Sequence, residues 1–388
     1  LWWLNYSILI FTGKSLLTEK KAYIAERIFT GEAWLKDHAV ITEKGMIIDI
    51  IPSSSLDKEI LTEHYPGDIL APSFIDLQIY GAYGKLLAVY PEADSLFKLN
   101  EYCRKGGASF CMPTVATNTY DVFHQSIDAI RDYWSKGGEG VLGLHIEGPW
   151  INATKRGAHI ESLIHSPSVQ QVEELLNYGR GVIKIITLAP EICSAEVIDL
   201  ILSHNIIISA GHSNATYEQA IVGFERGIRT VTHLYNAMSS LQHRQPGLVG
   251  ATFDHTTVMS SIIPDGYHVD YVAIRIAKQV MEERLFAITD AVTETDKGQY
   301  PHQLAGDKYE SSGILSGSAL TMGKAAKNLV QYSGIELGEA LRMCSLYPAR
   351  VIGVDTILGR IGKGYSANMV VMDSEMNVKK TFYSNLPV

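Results

Sequence analysis

Eight short apolar runs of β type recur through the middle of this chain, and helical segments separate most of them. The runs are SFIDLQI, ASFCMPTV, VLGLHIE, VIKIITL, IIISAGH, TVTHL, VMSSII and FAITD. Between them lie stretches such as ADSLFKLNEYCRKG, TYDVFHQSIDAIRDYW, AEVIDLILSHN, ATYEQAIVGFERG and DYVAIRIAKQVMEE, whose apolar residues return at helical spacing. Strands that alternate with helices belong to the α/β class. Eight such units over roughly 280 residues have the size and rhythm of a (β/α)8 TIM barrel. A doubly wound open sheet is the alternative. Its dinucleotide-binding form is weakened because no GxGxxG follows an early strand.

The two ends have a different texture. From about Lys21 to Ile69 the chain alternates in short β-like runs with turns at Gly31 and Gly45, and a similar pattern returns in LGRIGKGYSANMVVMD near the end. One small β domain assembled from both termini is expected, residues 19–72 plus 355–388, around a barrel at 73–354. The opening LWWLNYSILIF is apolar but short, without a basic leading region or a small-residue cleavage site, so it does not read as a signal peptide. Residues 1–18 are read as an extension ahead of the fold.

Composition narrows the partners. A formal charge of −9 gives no support for nucleic-acid or anionic-membrane binding, and no apolar run approaches the ~20 residues of a membrane helix. Four cysteines, 103, 111, 193 and 344, form no CxxC pair and read as reduced thiols of a cytoplasmic protein.

Polar residues sit at informative places in the runs. Glu147 ends VLGLHIE, His212 ends IIISAGH, His233 lies near the end of TVTHL and Asp290 ends FAITD. In a parallel barrel all strand C-termini face one rim, where the loops build the active site. One carboxylate and two neutral imidazoles make a three-ligand set for Zn²⁺ or Fe²⁺ with a position left for water. A further carboxylate can then move protons. Each residue also has a plainer reading: a lone histidine at a strand end is commonly a hydrogen-bonded structural residue, and Asp290 could cap a following helix. His145, two residues before Glu147, is read as structural.

The motifs HIEGPW (145–150), SAGHSNATY (209–217), THLYNAMS (232–239), PDGYHVD (264–270) and ITDA (288–291) occur in order. With them the chain resembles the N-acetylglucosamine-6-phosphate deacetylases of the amidohydrolase superfamily, from about Ala22 onward. The resemblance implies a (β/α)8 barrel with a small β-sandwich domain built from both termini. It also implies metal ligation by Glu147, His212 and His233, one divalent ion per subunit, and a catalytic acid/base at Asp290. His159 matches a histidine that polarises the acetyl carbonyl. Ala158, Asn236, Ala237, Asp265, Gly266, Tyr267, His268, Leu315, Ser316 and Gly317 match contacts to the amino-sugar 6-phosphate. Arg244 matches an arginine that reaches the partner subunit's substrate phosphate, which implies a homodimer.

The chain departs from the wider superfamily in one respect. Many amidohydrolases carry His-x-His after the first barrel strand, and here the residues are Gln78-Ile79-Tyr80. Neither Gln nor Tyr is a good transition-metal ligand, which argues against a second ion there. Deacetylation of the galactosamine epimer, opening of a cyclic amide, and a barrel that only binds are the competing readings. Retention of all four rim residues disfavours the last, and Arg244 with His268 favours a phosphorylated substrate. The sequence does not separate the two epimers.

Overall fold

The eight apolar runs become eight parallel strands: Phe74–Ile79, Ala108–Ala116, Leu144–Glu147, Ile183–Leu188, Ile207–Ala210, Thr230–Val231, Met259–Ile262 and Leu285–Ala287. Each pairs in parallel with the next in sequence order. The computed structural model that shows this describes residues 20–384 except 296 and 312, so the expected extension at 1–18 lies outside the described residues. These strands are buried nearly throughout, as expected for a sheet covered by helices on one face and by its own interior on the other. The eighth strand meets the first through a few bonds rather than a regular ladder. Asp290 N–H donates to the Gln78 carbonyl at 2.9 Å, and Tyr80 N–H to the Ala291 carbonyl at 2.9 Å.

Most of the helices that alternate with these strands begin at side-chain caps, Ala93–Lys105 and Gly247–Asp254 being exceptions. Ser168 and Thr216 each form a reciprocal capping box with a glutamine three residues on, satisfying backbone donors that a helix start leaves open. Thr119, Ser194, Asp270 and Thr321 cap four others. A three-stranded antiparallel sheet, Gln303–Ala305, Lys308–Ser311 and Ile314–Ser318, is inserted between the eighth strand and the helix Met322–Gln331. No run in the sequence signals it, because its strands are short and half-exposed and carry little apolar alternation.

Strands from the two ends of the chain form one connected seven-stranded sheet, in which Met369–Met372 lies antiparallel to Leu61–Pro72. Side chains alternate across it with the two-residue period of a strand. Ile69, Ala71, Val370 and Met372 join the barrel's apolar core, whereas Leu70, Met369 and Val371 join a smaller cluster with Ile28, Val40 and Ile47. Ile28 is wholly buried in that second cluster and far in sequence from every rim residue. Ile28→Ala is therefore expected to cost about 2–5 kcal/mol in urea denaturation while the folded fraction keeps its specific activity.

Candidate active site

The rim residues do not all lie inside their strands. Glu147 is the last residue of its strand, but His212, His233 and Asp290 stand two to three residues beyond the ends of theirs. The sequence reading placed all four at strand ends, and the backbone explains the difference. His212, His233 and Asp290 adopt φ values of +48°, +36° and +54°, in the left-handed region that terminates an extended strand. Such a conformation costs roughly 1–2 kcal/mol for a residue with a Cβ and survives where the surroundings over-determine it. Here they do. His212 accepts from Asn152 N–H at 2.8 Å, His233 N–H donates to the Ser261 hydroxyl at 2.7 Å, and Asp290 N–H is held by Gln78.

These turns converge four side chains. Glu147 Oε1 lies 3.3 Å from His212 Nε2 and 3.3 Å from His233 Nε2, and the two nitrogens are 3.1 Å apart. Donors about 2.05 Å from a tetrahedral centre stand about 3.3 Å from one another, so the triangle fits a single ion. The proton position of His212 agrees. His212 Nδ1–H donates to the Lys155 carbonyl at 2.9 Å, which leaves the Nε2 lone pair facing the triangle. His159 closes the other side, with Nε2 3.4 Å from Glu147 Oε2, and Glu147, His159 and His212 also form a compact buried donor group. Its Nδ1 accepts from the Thr117 backbone N–H at 3.4 Å and lies 2.7 Å from the Thr117 hydroxyl. That leaves an N–H on Nε2, the atom that faces Glu147 Oε2.

Asp290 caps no helix. The described residues after it contain no helix before Met322, whose cap is Thr321. Its Oδ1 instead accepts from Gln78 Nε2 at 2.7 Å and lies 3.3 Å from the Tyr80 hydroxyl, while Oδ2 faces His268 Nε2 at 4.0 Å. Gln78 Nε2 also reaches Glu147 Oε1 at 3.0 Å, and the Tyr80 hydroxyl donates to Glu147 Oε2. The residues that replace His-x-His are thus spent as donors to the two carboxylates.

Electrostatics separates the two acids. Burial alone would raise the Glu147 pKa, yet contacts with His159, His212 and His233 outweigh it and hold the carboxyl well below the usual range. Asp290 goes the other way: burial and the nearby Glu147 charge push its pKa up against the pull of His233 and His268. Burial, reinforced by His212, lowers His159 to about 4, so its imidazole is neutral at physiological pH.

A cavity of about 200 Å³ opens over this cluster. It is lined by the four rim residues and by Ala158, His159, Asn236, Ala237, His268, Leu315 and Ser316. Asp265, Gly266, Tyr267, Gly317 and Arg244 do not line it. Asp265 is occupied in its own turn, accepting from Tyr267 N–H at 2.9 Å and His268 N–H at 2.8 Å through Oδ1, and from His268 Nδ1 at 2.6 Å through Oδ2. Its carboxylate therefore orients His268. Arg244 lies in the exposed turn 241–245. Tyr80, Tyr300 and His302 line the cavity too. Tyr300 and His302 stand outside the sequence motifs; their position in the loop after the eighth strand, on the functional rim, is the available signal. His145 stays in the barrel interior, bonded to the Leu77 carbonyl and the Thr187 hydroxyl.

A model of the amidohydrolase family matches residues 69–386. The chain belongs to the amidohydrolase family. A second model, for the NagA composite domain, matches residues 22–70. The N-acetylglucosamine-6-phosphate deacetylase of Haemophilus influenzae is 34% identical over 370 residues, covering 92% of this chain and 97% of that protein. The N-acetylgalactosamine-6-phosphate deacetylase of Escherichia coli O157:H7 is 31% identical, covering 92% and 96%. The crystal structure of N-acetylglucosamine-6-phosphate deacetylase from Pasteurella multocida superposes with a TM-score of 0.90 at 34% identity, covering 94% of this chain and 98% of that one. A TIM barrel with a separate terminal sheet is thus the fold this amidohydrolase shares with that enzyme.

His302 gives the amidohydrolase a measurable pH signature. Its ring is buried, with Nδ1 2.8 Å from the Ser316 hydroxyl, and burial lowers its pKa to about 4. Between the ordinary histidine value of about 6.5 and 4, the unfolded chain takes up a proton that the folded one refuses, so stability falls as pH falls through that window. His302→Gln should make urea stability decline less steeply than wild type between pH 7 and pH 4.5. An unchanged slope would show that the folded protein accommodates the charged ring.

Proposed function

We propose that this amidohydrolase hydrolyses the acetamide of N-acetyl-D-glucosamine 6-phosphate, giving D-glucosamine 6-phosphate and acetate. The observation that carries the reading is the triangle of Glu147 Oε1, His212 Nε2 and His233 Nε2, with the Asp290 carboxyl bridged to Glu147 through the Gln78 amide. It lies in a chain 34% identical over almost its full length to a deacetylase of that substrate. Glu147, His212 and His233 would hold one divalent ion per subunit, Zn²⁺ or Fe²⁺ by the chemistry of the donors. Such an ion polarises a carbonyl and acidifies water. We further read the protein as a cytoplasmic homodimer; its four free cysteines suit a reducing compartment.

The chain's own residues divide the remaining work. His159 donates its Nε2–H to the acetyl oxygen as negative charge develops there. Asp290 Oδ1 is held by Gln78, and Oδ2 is left to take the proton of the attacking water and return it to the departing nitrogen. An amide nitrogen leaves poorly unless protonated, so the same carboxyl has to return that proton. His268, fixed by Asp265, together with Asn236 and Ala237 would orient the sugar phosphate.

Asp290→Asn keeps shape and an oxygen but cannot accept the proton. It is expected to lower kcat by about 10²- to 10⁴-fold with metal content near wild type, measured as free-amine release from N-acetylglucosamine 6-phosphate with the galactosamine epimer and unphosphorylated sugars alongside. A metal-loaded variant with near-normal kcat would reject the mechanism.

Arg244 stands away from its own cavity, and that favours a role on the partner's substrate. Arg244→Ala should raise KM for the phosphorylated sugar far more than for its unphosphorylated analogue, because a guanidinium on phosphate makes a charge-assisted contact. Mixed dimers of Arg244→Ala and Asp290→Asn chains should regain one working site. No recovery after demonstrated subunit exchange would count against the shared site.

A further inference from the structure

The barrel's last seam is closed by a side chain. Where the first and eighth strands meet they share only a few backbone bonds, and the Asp76 carboxylate fills the gap. Asp76 is 1% exposed and lies on the first strand. Its Oδ1 accepts from Thr289 N–H at 3.1 Å and from Gln78 N–H at 3.3 Å, and its Oδ2 lies 2.5 Å from the Thr289 hydroxyl. Burial pushes this carboxyl's pKa up to about 7 against the bonds from Thr289 and Gln78, so a group this deep is costly to keep and a stability role alone would be met better by an apolar pair.

Thr289 is the residue before Asp290, and it is gripped from three sides. Besides Asp76, its hydroxyl accepts from Ala291 N–H at 3.2 Å, and its carbonyl accepts from the Ser318 hydroxyl at 2.6 Å. Ser318 N–H then donates to the Asp290 carbonyl at 3.0 Å. The clamp thus brackets a residue whose φ of +54° an ordinary loop would release. The geometry points to Asp76 and Thr289 as positioning residues for this reaction: they lock the left-handed turn that aims the Asp290 carboxyl at the substrate. Neither side chain lines the cavity, so neither touches substrate.

The inference rests on the role given to Asp290 above. A positioning residue should act on the chemical step, and a displacement of about 1 Å can cost on the order of 100-fold in rate. Thr289→Val, which keeps shape and loses the hydroxyl, and Asp76→Ala should each lower kcat by roughly 10- to 100-fold with KM changed less than about twofold. Thr289→Ser and Asp76→Asn, which keep the hydroxyl and an acceptor oxygen, should recover most of the lost kcat. The double variant should be no slower than the slower single one, since both break one clamp. Rates are taken per folded, metal-loaded chain, with folding followed by thermal melting. Where Asp76→Ala does not fold, the Thr289→Val and Thr289→Ser pair decides. A Thr289→Val enzyme with wild-type kcat, or one whose KM rises as much as its kcat falls, overturns the inference. If Asp290→Asn is slow while Thr289→Val is not, the clamp fails and the role of Asp290 stands. If Asp290→Asn is itself active, that role fails first.

Discussion

A fully buried carboxylate, Glu147, governs the arrangement around it. It is 1% exposed, at the end of the third barrel strand, and an ionised group there must be surrounded by donors or neutralised. The His159 imidazole, the Gln78 amide and the Tyr80 hydroxyl meet part of that demand, and the His212 and His233 nitrogens stand where a bound cation would meet the rest. They come from four separate parts of the chain, with only Gln78 and Tyr80 side by side, so the carboxylate can be satisfied only once the barrel has closed. The site and the fold are consequently one requirement.

The backbone contributes as much as the side chains. Three of the four rim residues lie in left-handed turns just past their strands, and each turn is tied to a neighbouring element by a backbone hydrogen bond. The strands supply direction, and the turns redirect the side chains toward a common point. Local strain is concentrated where the chemistry requires unusual geometry, and the barrel wall holds it in place.

Asymmetry between two nearby acids follows from their neighbours. Glu147 faces histidines and is held ionised, whereas Asp290 feels burial and the Glu147 charge and binds its proton more tightly. Gln78 bridges them by a single amide, bonded to one oxygen of each.

The sequence by itself determined the number and order of the barrel strands, because a strand buried on both faces must be an unbroken apolar run and helices must intervene. It also determined which side chains gather at the rim, since parallel strands all end on one side. It did not reveal that His212, His233 and Asp290 would sit beyond their strands at positive φ. Nothing in residue type requires His or Asp to leave the extended region; bonds from Asn152, Ser261 and Gln78 do so, and those partners are distant in the chain. Tyr300 and His302 lie in a loop without periodicity, where only its place after the eighth strand signals function. Asp265 shows the limit most clearly: its motif marked it as a substrate contact, but all its near bonds are to its own turn, where it orients His268. Which groups face the cavity and which support from behind is a matter of distances across the barrel, and those exist only in the folded chain.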